Sequence, residues 1–279
     1  MPDMVMELVS KAAPYLAKHG STSPRLDAEL LLAAALGVER MDLYLQFDRP
    51  LKADEVDRFR ALCRRRAGGE PIAYIRGHRE FMSVDLLVTP DVMIPRPETE
   101  LLVEEALRLA PVSEAAQVLD VGTGSGAIAV AMAVHHPTCR VVATDVSAEA
   151  LGVASKNVER LELQDRVELR RADLADGIEG PFDLVLANLP YIDPAWPDAV
   201  TPEVAASEPG AALWGGREGL ELVARLLDDL PRLLTEHGAA LLEVDPRNAA
   251  GAQGLAAGLG ATRLIKDLAG HDRVLVIQA

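Results

Sequence analysis

The chain has 279 residues, 28 Lys and Arg against 43 Asp and Glu, a formal net charge of −15 and two cysteines. At roughly 150 residues per domain, that length suggests two unequal units. Apolar residues make up 49% of it, so the chain can bury a sizeable core and a disordered acidic polymer is excluded.

The charge is uneven. Residues 1–80 hold 13 basic and 12 acidic side chains, and residues 81–279 hold 15 and 31. A segment that acidic repels a phosphate backbone at long range, so stable nucleic-acid binding is not expected. The same acidity also serves solubility. Cys63 and Cys139 stand far apart with no Cys/His cluster, which indicates neither a disulfide framework nor a metal site. The apolar run Ala127–Val134 is too short to span a bilayer, and no signal-like segment opens the chain. A cytoplasmic location without a membrane is the expectation.

The first eighty residues read as helical. Ser23-Pro24 supplies an N-cap and first-turn proline, and Leu26, Leu30, Leu31, Ala34 and Ala35 follow at helical spacing up to Gly37. Val56, Phe59, Arg60 and Cys63 mark a second helix over Ala53–Ala67, stopped by Gly68-Gly69. Arg64-Arg65-Arg66 reads as a solvated helix end. Residues 70–96, with Pro90 and Pro95, predict a β-hairpin or extended linker. A further helix starts near Glu98, with acidic residues in its first turn.

From Gln117 onward strands and helices alternate. Val118–Val121, Arg140–Thr144, Val167–Arg170, Phe182–Ala187 and Ala239–Glu243 are Val- and Leu-rich strands. Helical patterns at Ala127–His135, Ala148–Arg160 and Leu220–Leu234 separate them. This is the pattern of an α/β doubly wound sheet. Ala261–Lys266 and Arg273–Gln278, joined by a short loop, predict an antiparallel edge.

Asp120-Val121-Gly122-Thr123-Gly124-Ser125-Gly126 lies between the first of these strands and a helix. Glycines let a ligand approach the backbone, and the helix N-terminus adds a positive dipole end. The spacing is GxGxG, not the GxGxxG of a pyrophosphate site. Asp120 suits a ligand with a positive centre. Asp145, at the end of the next strand, stands where a carboxylate would accept both ribose hydroxyls. Together these residues resemble the S-adenosylmethionine loop of class I methyltransferases. That resemblance places Asp120 at the methionine end and Gly122, Thr123, Gly124, Ser125 and Gly126 at the methionine and ribose. Asp145 takes the ribose diol, and Asp173 with Leu174 takes the adenine.

Asn188-Leu189-Pro190-Tyr191 follows the fourth strand, at the edge where open sheets bind substrates. A planar NH2 group is a poor nucleophile because its lone pair is delocalised. Two acceptors holding both N–H bonds turn that lone pair toward a sulfonium methyl. The Asn188 side-chain carbonyl and the next backbone carbonyl supply such a pair. Pro190 stiffens the loop and Tyr191 offers an aromatic wall. No ionisable base is needed before transfer. Tetrapeptides of this form serve adenine, cytosine and glutamine acceptors alike.

Gly69-Glu70-Pro71-Ile72-Ala73-Tyr74, Gly77, Glu80-Phe81 and Ile94-Pro95-Arg96-Pro97-Glu98-Thr99-Glu100 resemble the linker of bacterial release-factor glutamine methyltransferases of the PrmC or HemK type. Glu208-Pro209 through Gly219-Leu220, and Asp267-Leu268 to Arg273-Val274, resemble the same family. The resemblance implies an S-adenosylmethionine-dependent enzyme methylating the glutamine side-chain nitrogen (N5) in the Gly-Gly-Gln loop of class I peptide-chain release factors. It implies a helical substrate-recognition domain over 1–69, a hairpin linker over 70–97 and a methyltransferase domain over 98–279. Arg96 joins the acceptor loop as a candidate substrate contact.

Leu189 stands where that family usually has Pro, and Asn-Leu-Pro-Tyr also resembles ribosomal RNA adenine dimethyltransferases. A ribosomal-protein glutamine and an N6-adenine nucleic-acid acceptor therefore stay open at this point. Trp196 and Trp214 are candidate channel or packing residues, and His135-His136 is a helix end.

Overall fold

The computed structural model describes residues 3–111, 115–196 and 200–279 and divides into two compact units. One comprises residues up to His78 together with Thr201–Ser207; the other comprises Arg79–Val200 and Glu208–Ala279.

The first unit is helical. Its elements are α1 (Val5–Lys18), α2 (Pro24–Leu36), α3 (Arg40–Leu45), α4 (Ala53–Ala67), α5 (Ile72–Arg76) and, much later in the chain, α9 (Pro202–Ser207). Gly37 ends α2 in the left-handed region at φ 67°, a conformation that excludes most side chains. Leu8, Leu16, Leu31, Leu32 and Phe59 form its core. Cys63 belongs to that core, and burial pushes its thiol up to about 12, so it stays an unreactive packing group. Arg66 departs from the expected solvated helix end. It is buried, its Nε 2.9 Å from Asp27, and its guanidinium also reaches Glu203 at 3.0 Å. A charge in an apolar bundle persists only when paired in this way.

The second unit begins with a hairpin, β1 (His78–Phe81) and β2 (Val84–Leu87), followed by α6 (Pro97–Leu109). Then come β3 (Gln117–Val121), α7 (Ala127–His135), β4 (Arg140–Asp145), α8 (Ala148–Arg160), β5 (Val167–Arg171) and β6 (Phe182–Ala187). After α9, α10 (Glu221–Leu233), β7 (Leu234–Glu243), α11 (Ala249–Leu255), β8 (Ala261–Lys266) and β9 (Asp272–Gln278) complete it.

The main sheet has seven strands in the order β5-β4-β3-β6-β7-β9-β8. β3 to β7 are parallel, and β9 runs antiparallel to both neighbours. The reversed strand therefore lies one place inside the edge, and β8 closes the sheet.

Side chains alternate across the sheet, except at the irregularity between Phe182 and Leu184 on β6. Val118, Leu184, Leu186, Leu241 and Val276 pack on one face with α6 and α7. Leu119, Val185, Leu242 and Leu275 pack on the other with α10 and α11. Burial on both faces explains the near-continuous apolar runs of the parallel strands. The order reverses between β3 and β6, and crossovers on either side of that point leave a crevice at the carboxyl ends of the strands.

Candidate functional site

The loop from β3 to α7 is bound to the end of β4. The Gly122 and Thr123 N–H groups donate to the Thr144 carbonyl at 2.9 and 2.8 Å. Gly124 N–H donates to Asp145 Oδ2 at 2.8 Å, and Ser147 N–H to Asp145 Oδ1 at 2.9 Å. Gly126 opens α7 at φ 82°, and a Cβ there would stand 3.3 Å from that of Ala154. Only glycine satisfies both conditions. Behind the loop, Asn157 donates to the Leu87 and Ser125 carbonyls and accepts from Leu87 N–H at 2.7 Å. One buried amide thus pins the hairpin and the glycine loop together.

These elements enclose a cavity of about 220 Å³. Gly122, Thr123, Gly124, Ser125, Asp145, Asp173, Leu174, Asn188, Leu189 and Pro190 all line it. Residues more than sixty positions apart in the chain are thus gathered at one sheet edge. A Cβ on Gly122 would lie 3.1 Å from Leu189 Cδ2, so the glycine loop and the acceptor loop touch. Leu189 itself is buried. Its side chain anchors the loop in the core beneath α10, where a proline ring would offer less apolar surface.

Four expected site residues do not line this cavity. Asp120 is fully buried beneath α7, where its Oδ2 accepts the Thr123 hydroxyl at 2.5 Å and Ala129 N–H at 3.1 Å. It shapes the loop from below. Gly126 serves as the helix cap. Arg96 donates to Glu208 at 2.5 Å and ties the linker to the segment leading to Pro209, which is in the cavity wall. Tyr191 is outside the cavity lining, and its phenol donates to Glu243 Oε1 at 3.1 Å. Burial and that carboxylate push the phenol above its ordinary value, so it remains a donor. Asp120, Arg96 and Tyr191 each serve as the polar partner of another group, and Gly126 is kept by its φ and by the close approach of Ala154.

Asp173 lines the cavity while bonding Arg225 at 2.8 Å. Asn188 Nδ2–H donates to Thr99 Oγ1 at 3.0 Å, which leaves its side-chain carbonyl available. Thr99, Val92, Met93 and Leu222 also line the site. Thr99 and Glu243 went unassigned in the sequence. The available signal was an acid closing the otherwise apolar run Ala239–Leu242.

Residues 7–77 match the PrmC N-terminal domain and residues 97–206 the methyltransferase small domain. The release factor glutamine methyltransferase of Rhodopirellula baltica is 44% identical over 287 aligned positions, covering 99% of this chain and 97% of that one. The chain belongs to the release factor glutamine methyltransferase family. Its counterpart from Geobacter sulfurreducens is 45% identical over 82% of this chain and 80% of its own. Among solved structures, a methyltransferase from Pyrococcus furiosus shares the fold, with a TM-score of 0.53 and 21% identity over 70% of this chain and 88% of that one.

The site of this family member fits S-adenosyl-L-methionine by its own chemistry. Each Asp145 oxygen holds one backbone N–H and keeps a lone pair, the capacity that two ribose hydroxyls need. The glycines leave space that any Cβ would fill, and Leu174 and Ala172 give the lining an apolar stretch. Asp145→Ala therefore weakens cofactor binding about 10- to 100-fold, the value of one or two charge-assisted hydrogen bonds. Calorimetric titration checks this, and an unchanged affinity removes the ribose role.

Burial pushes the Asp120 carboxyl up to about 7, against the hydrogen bonds from Thr123 and Ala129 and with the Asp145 charge adding to the rise. The folded state therefore holds this proton more tightly than the unfolded chain. Its contribution to stability is complete below about pH 4 and is lost as pH rises through about 7. Asp120→Asn keeps the acceptor oxygen and removes the titration. Relative to the wild type, it gains about 2–4 kcal/mol between pH 4 and pH 8, read from urea melts at the two values.

Proposed function

We propose that this protein transfers a methyl group from S-adenosyl-L-methionine to the N5 nitrogen of the glutamine in the Gly-Gly-Gln loop of class I release factors, modulating translation termination. The observation that carries the reading is Asn188: its amide NH2 is held by Thr99, so its carbonyl is left for an acceptor N–H at the cavity.

When bound, the cofactor supplies an electrophilic methyl on a sulfonium. Gly122 to Ser125, Asp145, Asp173 and Leu174 hold and orient it. The Asn188 side-chain carbonyl and the Leu189 backbone carbonyl accept the two N–H bonds of the glutamine amide. Both bonds lie in the amide plane, so fixing them aims the face of the nitrogen at the methyl. Pro190 restricts the loop and Tyr191 braces it from behind. The methylated nitrogen is strongly acidic and releases its extra proton without a dedicated base.

The relatives bear release-factor names, and these do not favour a ribosomal-protein or adenine acceptor. The excess of acidic residues in the 81–279 segment also disfavours an RNA substrate. We place the helical unit in recognition of the release factor, and the enzyme in the cytoplasm. Among the described residues no helix is long and apolar enough to cross a membrane. Labelled S-adenosylmethionine offered separately to release factor, ribosomal proteins and nucleic acid decides the acceptor. A gain of one methyl on the Gly-Gly-Gln peptide is the expected result, and label in RNA alone overturns it.

A further inference from the structure

The acceptor loop is backed by a buried acid that the chemistry above does not use. Glu243 ends β7 at 2% exposure, and its Oε2 has no hydrogen-bond partner among the described residues. Its Oε1 takes the Tyr191 phenol. The Thr99 hydroxyl, from α6, comes close enough to the same carboxylate to favour its charged form, the contact falling short of a hydrogen bond at Oε2, and Thr99 Oγ1 accepts the Asn188 NH2 at 3.0 Å. Groups from β7, α6 and the loop after β6 thus form one run that ends at the Asn188 amide.

The direction of that run follows from donor counting. An ionised carboxylate only accepts, and a hydroxyl has one proton to give. With its proton turned to Glu243, the Thr99 oxygen presents lone pairs to Asn188. Only the NH2 side of the amide can answer them. The flipped amide would set a carbonyl oxygen against another oxygen and leave two buried groups unsatisfied. Which side of Asn188 meets the cavity is therefore decided at Glu243, 55 positions later in the chain. The decision matters chemically, because an NH2 turned to the cavity repels the acceptor's own N–H bonds.

We propose that Glu243, acting through Thr99, is a positioning residue that sets the flip of the Asn188 amide so that its carbonyl faces the acceptor nitrogen. The inference deepens the proposed function and rests on it for its kinetic readout, so a second readout is independent of substrate.

Glu243→Gln is nearly isosteric but can donate to Thr99 and reverse the run. It lowers kcat for release factor about tenfold or more, while cofactor affinity stays within about twofold. Thr99→Val causes a similar loss and Thr99→Ser recovers it. The double variant Glu243→Gln with Thr99→Val is no worse than either single change, since both break one chain.

The pH profile separates this from a packing defect. Burial holds the Glu243 carboxyl above its ordinary value. Glu98 acts in the same direction; Arg273, Thr99 and Tyr191 oppose it. As pH falls and Glu243 gains its proton, the wild-type rate declines, and Glu243→Gln lacks that limb.

The independent readout is the Asn188 side-chain NH2 pair in 15N–1H spectra of the full chain, assigned by its loss in Asn188→Asp. Its shift and slow exchange persist in the wild type and Thr99→Ser and collapse in Glu243→Gln and Thr99→Val. Wild-type kcat in both disruptive variants, additive losses, or an unmoved NH2 signal overturns the proposal. If the spectra respond as expected and no release factor is methylated, the substrate reading has failed instead.

Discussion

Asn188→Ala lowers the rate of methyl transfer to release factor by about 10²- to 10³-fold, with cofactor affinity within about twofold of wild type. The magnitude is that of removing one preorganised hydrogen-bonding group aimed at the reacting atom. Asn188 lines the cavity at the end of β6, and Thr99 holds its NH2. Truncation leaves one acceptor, the Leu189 carbonyl, and one N–H of the amide unheld. The amide then turns about its remaining hydrogen bond, the face of the nitrogen is no longer aimed at the methyl, and the near-attack geometry is lost. Asp145 and the glycine loop make their contacts to one another without Asn188, so binding of the methyl donor survives. Single-turnover transfer with labelled cofactor, beside a calorimetric titration, separates the two effects. A near-normal rate would remove the acceptor clamp from the mechanism.

Gly219→Ala impairs folding and turnover together. Gly219 has φ 67°, and a Cβ there would fall 1.8 Å from the Tyr191 carbonyl oxygen and 2.9 Å from Asn248 Nδ2. Asn248 Nδ2 donates to the Tyr191 carbonyl at 3.2 Å and also reaches the Glu218 and Gly219 carbonyls. Alanine therefore displaces the backbone of the acceptor loop and the amide that clamps it. Combined strain and overpacking of this kind cost about 3 kcal/mol or more. At about 2–4 °C per kcal/mol that is a fall in Tm of about 6–12 °C. The shift of Tyr191 carries to its neighbours, and kcat drops about tenfold or more. Gly254→Ala is the control, since nothing lies within 4 Å of a Cβ in that helical position, and it raises stability by about 0.5–1 kcal/mol. Calorimetric melts and steady-state rates of the two variants test the contrast. Equal melting temperatures would show that the loop tolerates the methyl group.

The glycine at 219 illustrates how far local pattern reaches. Its loop was recognisable by resemblance, but its task, making room for the Tyr191 carbonyl 28 positions earlier, is a matter of chain crossing. Helices α2, α4, α7 and α8 were legible because their apolar spacing and stop signals are local. The short helices α3, α5 and α11 were not, since a few residues carry too little periodicity and are held by tertiary contacts. Tyr191 stands outside the cavity lining for a related reason. An aromatic residue beside a site suggests stacking, whereas a buried phenol turns to whichever acceptor the neighbouring strand supplies.

By itself the sequence determined the alternation of strands and helices, the glycine loop with Asp145, and the acceptor tetrapeptide. Each is written in spacings of a few residues, over which backbone geometry is set by immediate neighbours. Only the tertiary structure decided which groups support them. Asn188 meets Thr99 across 89 positions, Tyr191 meets Glu243 across 52, and Arg66 meets Asp27 across 39. Buried polar groups need partners. In the acceptor site those partners come from strand order, which places β6 beside β7, a consequence of the whole sheet and not of any segment in it.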